Sequence, residues 1–377
     1  MKDKPTAVRT SRSPRVAIVC DWLLGIGGAE RVVLELHHMF PDAPIYTSQY
    51  NPQKIDWFKD ADVRTTWLQH LPGSLKKFMP VLRAWTFSHL KLDDYDLVIS
   101  ATGAEAKAVR TSSRTTHICY LFAPTHYYWS RYDQYMQSPG FGKLNWLARF
   151  GLRLLVAPMR RWDKQASLRP NYLVTISTYA QSEIKKYYGR DALIIYPPVD
   201  TNRFHISTQR QGFVVVGRQT PYKQIDLAVS ACTQLNLPLT VIGDGPEHNR
   251  LAKKAGPTVT MLTSVNDDDV ATYIHKAAAF IFPGLDDFGI VAVEAMSAGL
   301  PVIAFRAGGA LDYIKPGKTG EFFNQPTVGA LVSVLEKFNP QNYDSNLIKK
   351  QAAKFDTTHF RSTFRDFIAS RLTNPKL

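Results

Sequence analysis

Cysteine is scarce in this chain: Cys20, Cys119 and Cys232 are far apart and form no CxxC pair. That excludes a disulfide framework and a cysteine-rich zinc site, and it fits a reducing compartment. Long apolar runs are missing as well. No window reaches 18 uncharged apolar residues, which argues against a membrane-spanning helix but leaves attachment to a membrane surface open. The opening MKDKPTAVRTSRSPR is polar and basic, and the AIVC run after it meets Asp21 too early to be a signal-peptide core. There is no low-complexity tract, and no repeat beyond a general alternation of strand-like and helix-like runs.

Acidic residues are also in short supply, with 32 Asp and Glu against 46 Lys and Arg, a formal charge of +14. Residues 1–200 hold 27 Lys and Arg against 17 Asp and Glu, so the basic excess is concentrated there. Such a surface points to an anionic partner: nucleic acid, a phosphorylated substrate or an acidic membrane face. With 45% hydrophobic residues the chain is too apolar to be disordered, and 377 residues exceed what one core usually serves. Two domains are expected.

What is present is a regular order of short β-rich runs. RVAIVCD, PIYTSQY, LVIS, THICYLF, YLVTIS and LIIYPP alternate with helix-compatible stretches, and YPPVDTNRF then breaks all periodicity. FVVVG, LTVIG, TVTML, AFIFPG and PVIAF resume the alternation. The fold class is therefore α/β, with two similar parallel-sheet domains. The expected division is a disordered basic arm at 1–13, domains at 14–198 and 199–355, and a C-terminal helix at 356–377 returning to the first domain.

Several loops at strand ends can carry chemistry. In DWLLGIGGAERVV, Gly25, Gly27 and Gly28 separate a strand from a helix, where N–H groups and the helix start favour an anion. Glu30 stands where a dinucleotide fingerprint needs glycine, and no Lys-Ser/Thr pair follows for a Walker loop. A turn needing positive φ is the competing reading. In FVVVGRQTPYKQIDLAV, Arg218 follows a strand and Lys223 is placed in the first turn of the next helix, a pair that either suits a diphosphate leaving group or merely decorates a surface loop. In VIGDGPE, Gly243 opens a tight turn that either lines a ligand or only closes a strand.

In FPGLDDFGIVAVEAMSAG, Asp286 precedes a helix beginning near Ile290, and Glu294 lies about one turn in. Both carboxylates can accept hydrogen bonds from a vicinal diol, with the N–H groups of Phe288, Gly289 and Ile290 between them. No further acidic or His cluster accompanies the pair, so metal binding is not expected. The competing reading makes Asp286 and Asp287 helix caps or dipole partners and turns Glu294 to solvent.

GIGGAERVV, YLFAPTHYYW, ISTYAQSEIKKYYG, YPPVD, VGRQTPYKQIDLAV and VIGDGPE, with the acidic segment, closely resemble the retaining glycosyltransferases of family 4. The resemblance implies a GT-B fold, two Rossmann-like domains facing each other over a cleft. It assigns Arg218 and Lys223 to the donor diphosphate, Glu294 to the ribose, Asp286 to the transferred sugar, and the amides of Phe288 to Ile290 to phosphate and sugar oxygens. Two departures stand out. Asp286 replaces the usual Glu, and the familiar His and Arg of the aromatic motif fall on Phe122 and His126. His126 either compensates for that lost His or is structural, and Tyr127, Tyr128 and Trp129 either stack on an acceptor or pack between domains.

The resemblance further implies a hexosyltransferase of surface glycan synthesis with no obligatory metal, donor GDP-mannose, and a polyprenyl-diphosphate-linked or other sugar acceptor. A UDP-sugar donor and a catalytically weakened sugar-binding protein are the alternatives. Segments 67–87 and 141–162 mix aromatic and aliphatic residues with Lys and Arg, as helices lying on anionic membranes do. The expected location is cytoplasmic, peripheral at the inner membrane. Convergent polar loops, rather than a basic stripe, weigh against nucleic-acid binding, and Glu30 weighs against a nicotinamide dehydrogenase.

Overall fold

The computed structural model describes residues 14–72, 79–137, 142 and 145–372. The arm at 1–13, residues 73–78 and part of 138–144 lie outside the described residues.

Seven strands form the first sheet: β1 (Val16–Cys20), β2 (Ile45–Thr47), β3 (Val63–Thr65), β4 (Leu97–Thr102), β5 (Thr116–Leu121), β6 (Tyr172–Thr175) and β7 (Leu193–Ile194). All pairs are parallel, in the order β3-β2-β1-β4-β5-β6-β7. The second sheet holds β8 (Phe213–Val216), β9 (Leu239–Ile242), β10 (Val259–Leu262), β11 (Ala279–Phe282), β12 (Val302–Phe305) and β13 (Gly320–Phe323). Its order is β10-β9-β8-β11-β12-β13. Each sheet reverses winding beside its first strand, which opens a crevice at the carboxyl ends of β1 and β4, and of β8 and β11. β1, β4 and β11 are buried on both faces, and β1 and β11 read as unbroken apolar runs. β3 is a half-exposed edge strand with no apolar run, and the sequence reading passes over it.

The helices of the first half are α1 (Gly28–Met39), α2 (Pro80–His89), α3 (Tyr132–Gln137), α4 (Asn145–Ala166) and α5 (Thr178–Tyr188). α1 buries Val32, Val33, Leu36 and Met39, one helical stripe, against the sheet. α5 starts where Ser177 Oγ accepts from Ala180 N at 2.9 Å and stops at Gly189, whose φ of 72° a β-carbon would strain.

The second half carries α6 (Ile225–Gln234), α7 (His248–Lys254), α8 (Asp267–Lys276), α9 (Ile290–Ser297), α10 (Ala310–Tyr313), α11 (Val328–Leu335) and α12 (Ser345–Ala352). α8 is capped by Asn266, which accepts from Asp269 N at 2.8 Å, and Asp267, Asp268 and Asp269 match the positive end of its dipole. The last helix, α13 (Thr357–Leu372), lies on the first sheet. Phe360 and Phe364 meet Tyr120 edge-on at 5.8 and 5.9 Å, and Arg361 donates to Glu35 of α1. Tyr196, Phe288, Tyr313 and Phe355 form an aromatic cluster that joins the halves at the base of the crevice.

Candidate functional site

The loop after β8 is held by backbone docking. Gly243 has φ 134°, and a Cβ there would sit 2.1 Å from Gly217 O, so only glycine lets the two strand ends approach. Buried Gln219 donates to Gly243 O at 2.7 Å and pairs with His248 at 2.9 Å, which anchors the segment carrying Arg218 and Lys223. Gly243 N donates to Leu262 O at 2.9 Å. Gly243 thus shapes the loop, and its N–H is engaged within the sheet rather than directed at a ligand. Lys223 also differs from expectation. It lies in a separate 3-10 turn, Pro221–Lys223, and α6 begins only after Gln224, whose φ of 49° breaks the helix.

That turn aims Lys223 Nζ at Asp286, with which it forms an ion pair. Exposed Arg218 donates to Tyr222 Oη at 3.0 Å. The acidic segment is fixed from beneath: Gly309 N donates to Asp286 O at 2.9 Å, and a Cβ on Gly308 would lie 2.3 Å from the same oxygen. Gly289, at φ 91°, caps α9, and a Cβ there would meet Phe282 Cζ at 2.4 Å. The first N–H groups of a helix have no intrahelical partner, so the backbone from Gly289 and Ile290 faces the crevice as a set of donors. The Phe288 side chain is buried in the aromatic cluster, and its carbonyl accepts from Tyr313 at 2.9 Å.

Glu294 sits one turn into α9 with its side chain 12% exposed and Arg31 Nη1 at 4.0 Å. Burial pushes its carboxyl above the ordinary range, and Arg31 and Arg203 offset part of that. Arg31 comes from α1 in the other half and also bonds Asp267 at 3.0 Å. Asp287, read from sequence only as a cap, spans the crevice: His126 Nε2 lies 2.8 Å from its Oδ2 and Arg131 Nη2 at 3.4 Å. Burial raises the Asp287 carboxyl, but His126 first and then Arg131 outweigh this and hold it below the usual value. No local pattern marks Arg31, Arg131 or the role of Asp287, because their charged partners lie 156 to 263 residues away.

On the first domain the glycine loop faces α9, where a Cβ on Gly28 would be 3.0 Å from Ile290 Cδ1. Gly27 is extended and is overlain by the Glu30 carboxylate, 2.8 Å from where its Cβ would be. Beside the loop is a cavity of about 230 Å3 lined by Asp21, Trp22, Glu30, Phe122, His126 and Tyr127. Asp21 builds its floor, accepting from Thr102 Oγ1 and Ala106 N, both at 2.8 Å. The YYW run forms a wall. Tyr128 is buried, Trp129 donates to Asp163 at 2.7 Å, and of the three only Tyr127 reaches the cavity.

Arg218, Lys223, Asp286, Ile290, Gly28 and His126 are thus brought to one crevice, with Glu294 further along it toward Arg31. Among the described residues, no three His, Cys, Asp or Glu are grouped to hold a metal ion.

Residues 200–355 match the sequence family of glycosyl transferases group 1. An uncharacterized glycosyltransferase of Methanocaldococcus jannaschii, MJ1178, is 25% identical over 166 residues, 43% of this chain and 47% of that protein. A GDP-mannose-dependent phosphatidylinositol monomannoside mannosyltransferase of Mycobacterium tuberculosis is 30% identical over 178 residues, 38% of this chain and 46% of that protein. The chain spans about half the length of these curated relatives. The crystal structure of Anabaena Alr3699/HepE with UDP and glucose superposes with a TM-score of 0.69, covering 95% of this chain and 100% of that one at 17% identity, a likeness of fold. The chain thus has two facing Rossmann-like domains of GT-B type, and its second domain, at 200–355, is similar to the group 1 glycosyl transferases.

Proposed function

We propose that the chain is a retaining glycosyltransferase that moves a hexose from a nucleoside diphosphate to a hydroxyl acceptor. The observation that carries this is the convergence of Lys223 and Arg218 with Asp286 at the start of α9, opposite Gly28. In this reading Lys223, Arg218 and the α9 amides hold the diphosphate, whose charge grows as the bond from the anomeric carbon to its oxygen breaks. The new bond forms from the acceptor oxygen on the same face, and a diphosphate oxygen takes the acceptor proton. Glu294 accepts from the ribose hydroxyls and Asp286 from the sugar. The cavity beside His126 takes the acceptor.

A UDP-hexose donor is supported by the whole-chain fold match, since the Anabaena structure holds UDP and glucose. GDP-mannose is supported by the dependence of the mycobacterial relative. A screen of UDP- and GDP-hexoses, read by nucleoside diphosphate release and mass gain of a lipid-linked acceptor, is expected to show one base preferred by at least about tenfold, because a site built to hydrogen-bond one ligand leaves polar groups unpaired with another. Saturable donor binding with no turnover would favour a weakened sugar-binding protein. Absence of any nucleotide binding would sink both.

The acceptor reading places the first domain on an anionic membrane. α4 exposes Trp146, Phe150 and Leu154 at 67, 63 and 66%, and α2 exposes Trp85 at 57%. Trp162 of α4 donates to Ser88 of α2 at 3.1 Å, which sets the two helices side by side, and Arg153, Arg161 and Lys164 are exposed on α4. Among the described residues, no helix is long and apolar enough to cross a membrane. The chain is expected to co-sediment with vesicles containing phosphatidylglycerol but not with neutral ones. Trp146→Ser combined with Phe150→Ser is expected to weaken this by more than about tenfold, since each ring contributes about 1.5–3 kcal/mol on burial. Equal recovery of the variant with the vesicles would remove the proposal.

A further inference from the structure

Arg131 precedes α3 on the first domain, yet its guanidinium lies on the second. Its Cζ is 4.2 Å from the ring centroid of Tyr222, its Nη2 is 3.4 Å from Asp287 Oδ2, and its side chain is 12% exposed. Tyr222 is the ring whose hydroxyl accepts from Arg218 and whose centroid lies 5.7 Å from Lys223 Nζ. Three cations from two domains therefore surround one phenol ring. Like charges gathered in a partly dry crevice repel unless anions lie among them. Here the anions are Asp286, paired with Lys223, and Asp287, paired with Arg131 and His126.

Resting on the donor reading above, we infer that Arg131 is a third cation for the donor diphosphate, supplied by the acceptor-side domain. A diphosphate carries more charge than either carboxylate and offers oxygens to a planar guanidinium that can fork to two of them. Stacking on Tyr222 holds that plane at the seam between the domains, beside the Arg218 and Lys223 loop. The clamp is then complete only when both domains meet, and the leaving group is gripped from the acceptor side as well as from the donor side. Asp287 is a positioning residue in this scheme, keeping Arg131 aimed across the seam until the diphosphate takes over.

Calorimetric titration of UDP, GDP, UMP and GMP at one fixed salt concentration tests this. Arg131→Ala is expected to weaken the preferred nucleoside diphosphate by at least about tenfold while changing the monophosphate by less than about twofold, since the missing cation serves the second phosphate. Arg131→Lys, which keeps the charge without the stacked plane and guards against misfolding, is expected to fall between. Asp287→Asn, which keeps an oxygen to accept from Arg131 but removes the carboxylate charge that competes with the diphosphate, is expected to raise diphosphate affinity. Equal weakening of di- and monophosphate by Arg131→Ala would make the residue a mere domain latch and overturn the inference, as would no weakening of either. If the unsubstituted chain binds no nucleotide, the donor reading itself fails, and this outcome is distinct from the former two.

Discussion

Replacement of Lys223 with alanine is expected to lower glycosyl transfer by about 10²- to 10³-fold, the cost typical of removing one preorganised donor to developing charge. The fold is expected to survive it. Lys223 lies in a 3-10 turn at the crevice with its side chain 20% exposed, and its backbone N–H remains bonded to Thr220 O at 3.0 Å. What is lost is the ammonium beside Asp286, and the uncompensated carboxylate then repels the diphosphate as well. Lys223→Ala combined with Asp286→Asn separates these effects: recovery of donor affinity without recovery of turnover assigns the lysine to the leaving group. Initial rates at saturating donor, alongside thermal unfolding, give the measurement. A loss below about threefold for Lys223→Ala would remove the lysine from the chemistry.

The largest expected loss of stability comes from Asp163→Ala. Asp163 is fully buried on α4 and receives Lys107 Nζ at 2.6 Å, Thr125 Oγ1 at 2.9 Å, Trp129 Nε1 at 2.7 Å and Tyr188 Oη at 2.6 Å. Its removal strands the Lys107 ammonium, itself fully buried, with only Ala104 O and the Thr125 hydroxyl to bond. Breaking a buried pair from one side costs about 3–5 kcal/mol, whereas exchanging both partners for apolar groups of like size is often neutral. For a domain of this size the loss corresponds to a fall on the order of 10 °C in its unfolding midpoint. Calorimetric scans of Asp163→Ala beside Asp163→Leu with Lys107→Met give the comparison. A single variant that melts within about 2 °C of the parent would show that the network contributes little.

Asp163 also shows why some of the site is hidden in the chain. The residue sits in RRWDKQA, a stretch that reads as the polar face of a helix. Its four partners lie 25 to 56 residues away, on a 3-10 turn, the loop after β5 and another helix. The aromatic run YYW likewise fits acceptor stacking and packing between domains equally well in the sequence. In the fold Trp129 donates to Asp163 and Tyr128 is buried, so both serve packing within the first domain.

Much of the architecture is written locally. Buried parallel strands need runs such as VAIVC and AFIF, helix stops need Gly299 or Gly189, and close docking of strand ends needs Gly243, all of which act over a few residues. The loops holding Arg218, Asp286 and Glu294 follow those strands, so their place at the crevice is set by the alternation that carries them. The reach of Arg31 to Glu294 and the meeting of His126 and Arg131 with Asp287 depend instead on how two domains close, and the pairing of Lys223 with Asp286 on how two distant loops of the second domain come together. Backbone conformation and burial periodicity are short-range, and adjacent side chains report them. A charge finds its counter-ion wherever desolvation makes solitude most costly, and for Arg31, His126 and Arg131 that partner is across the cleft.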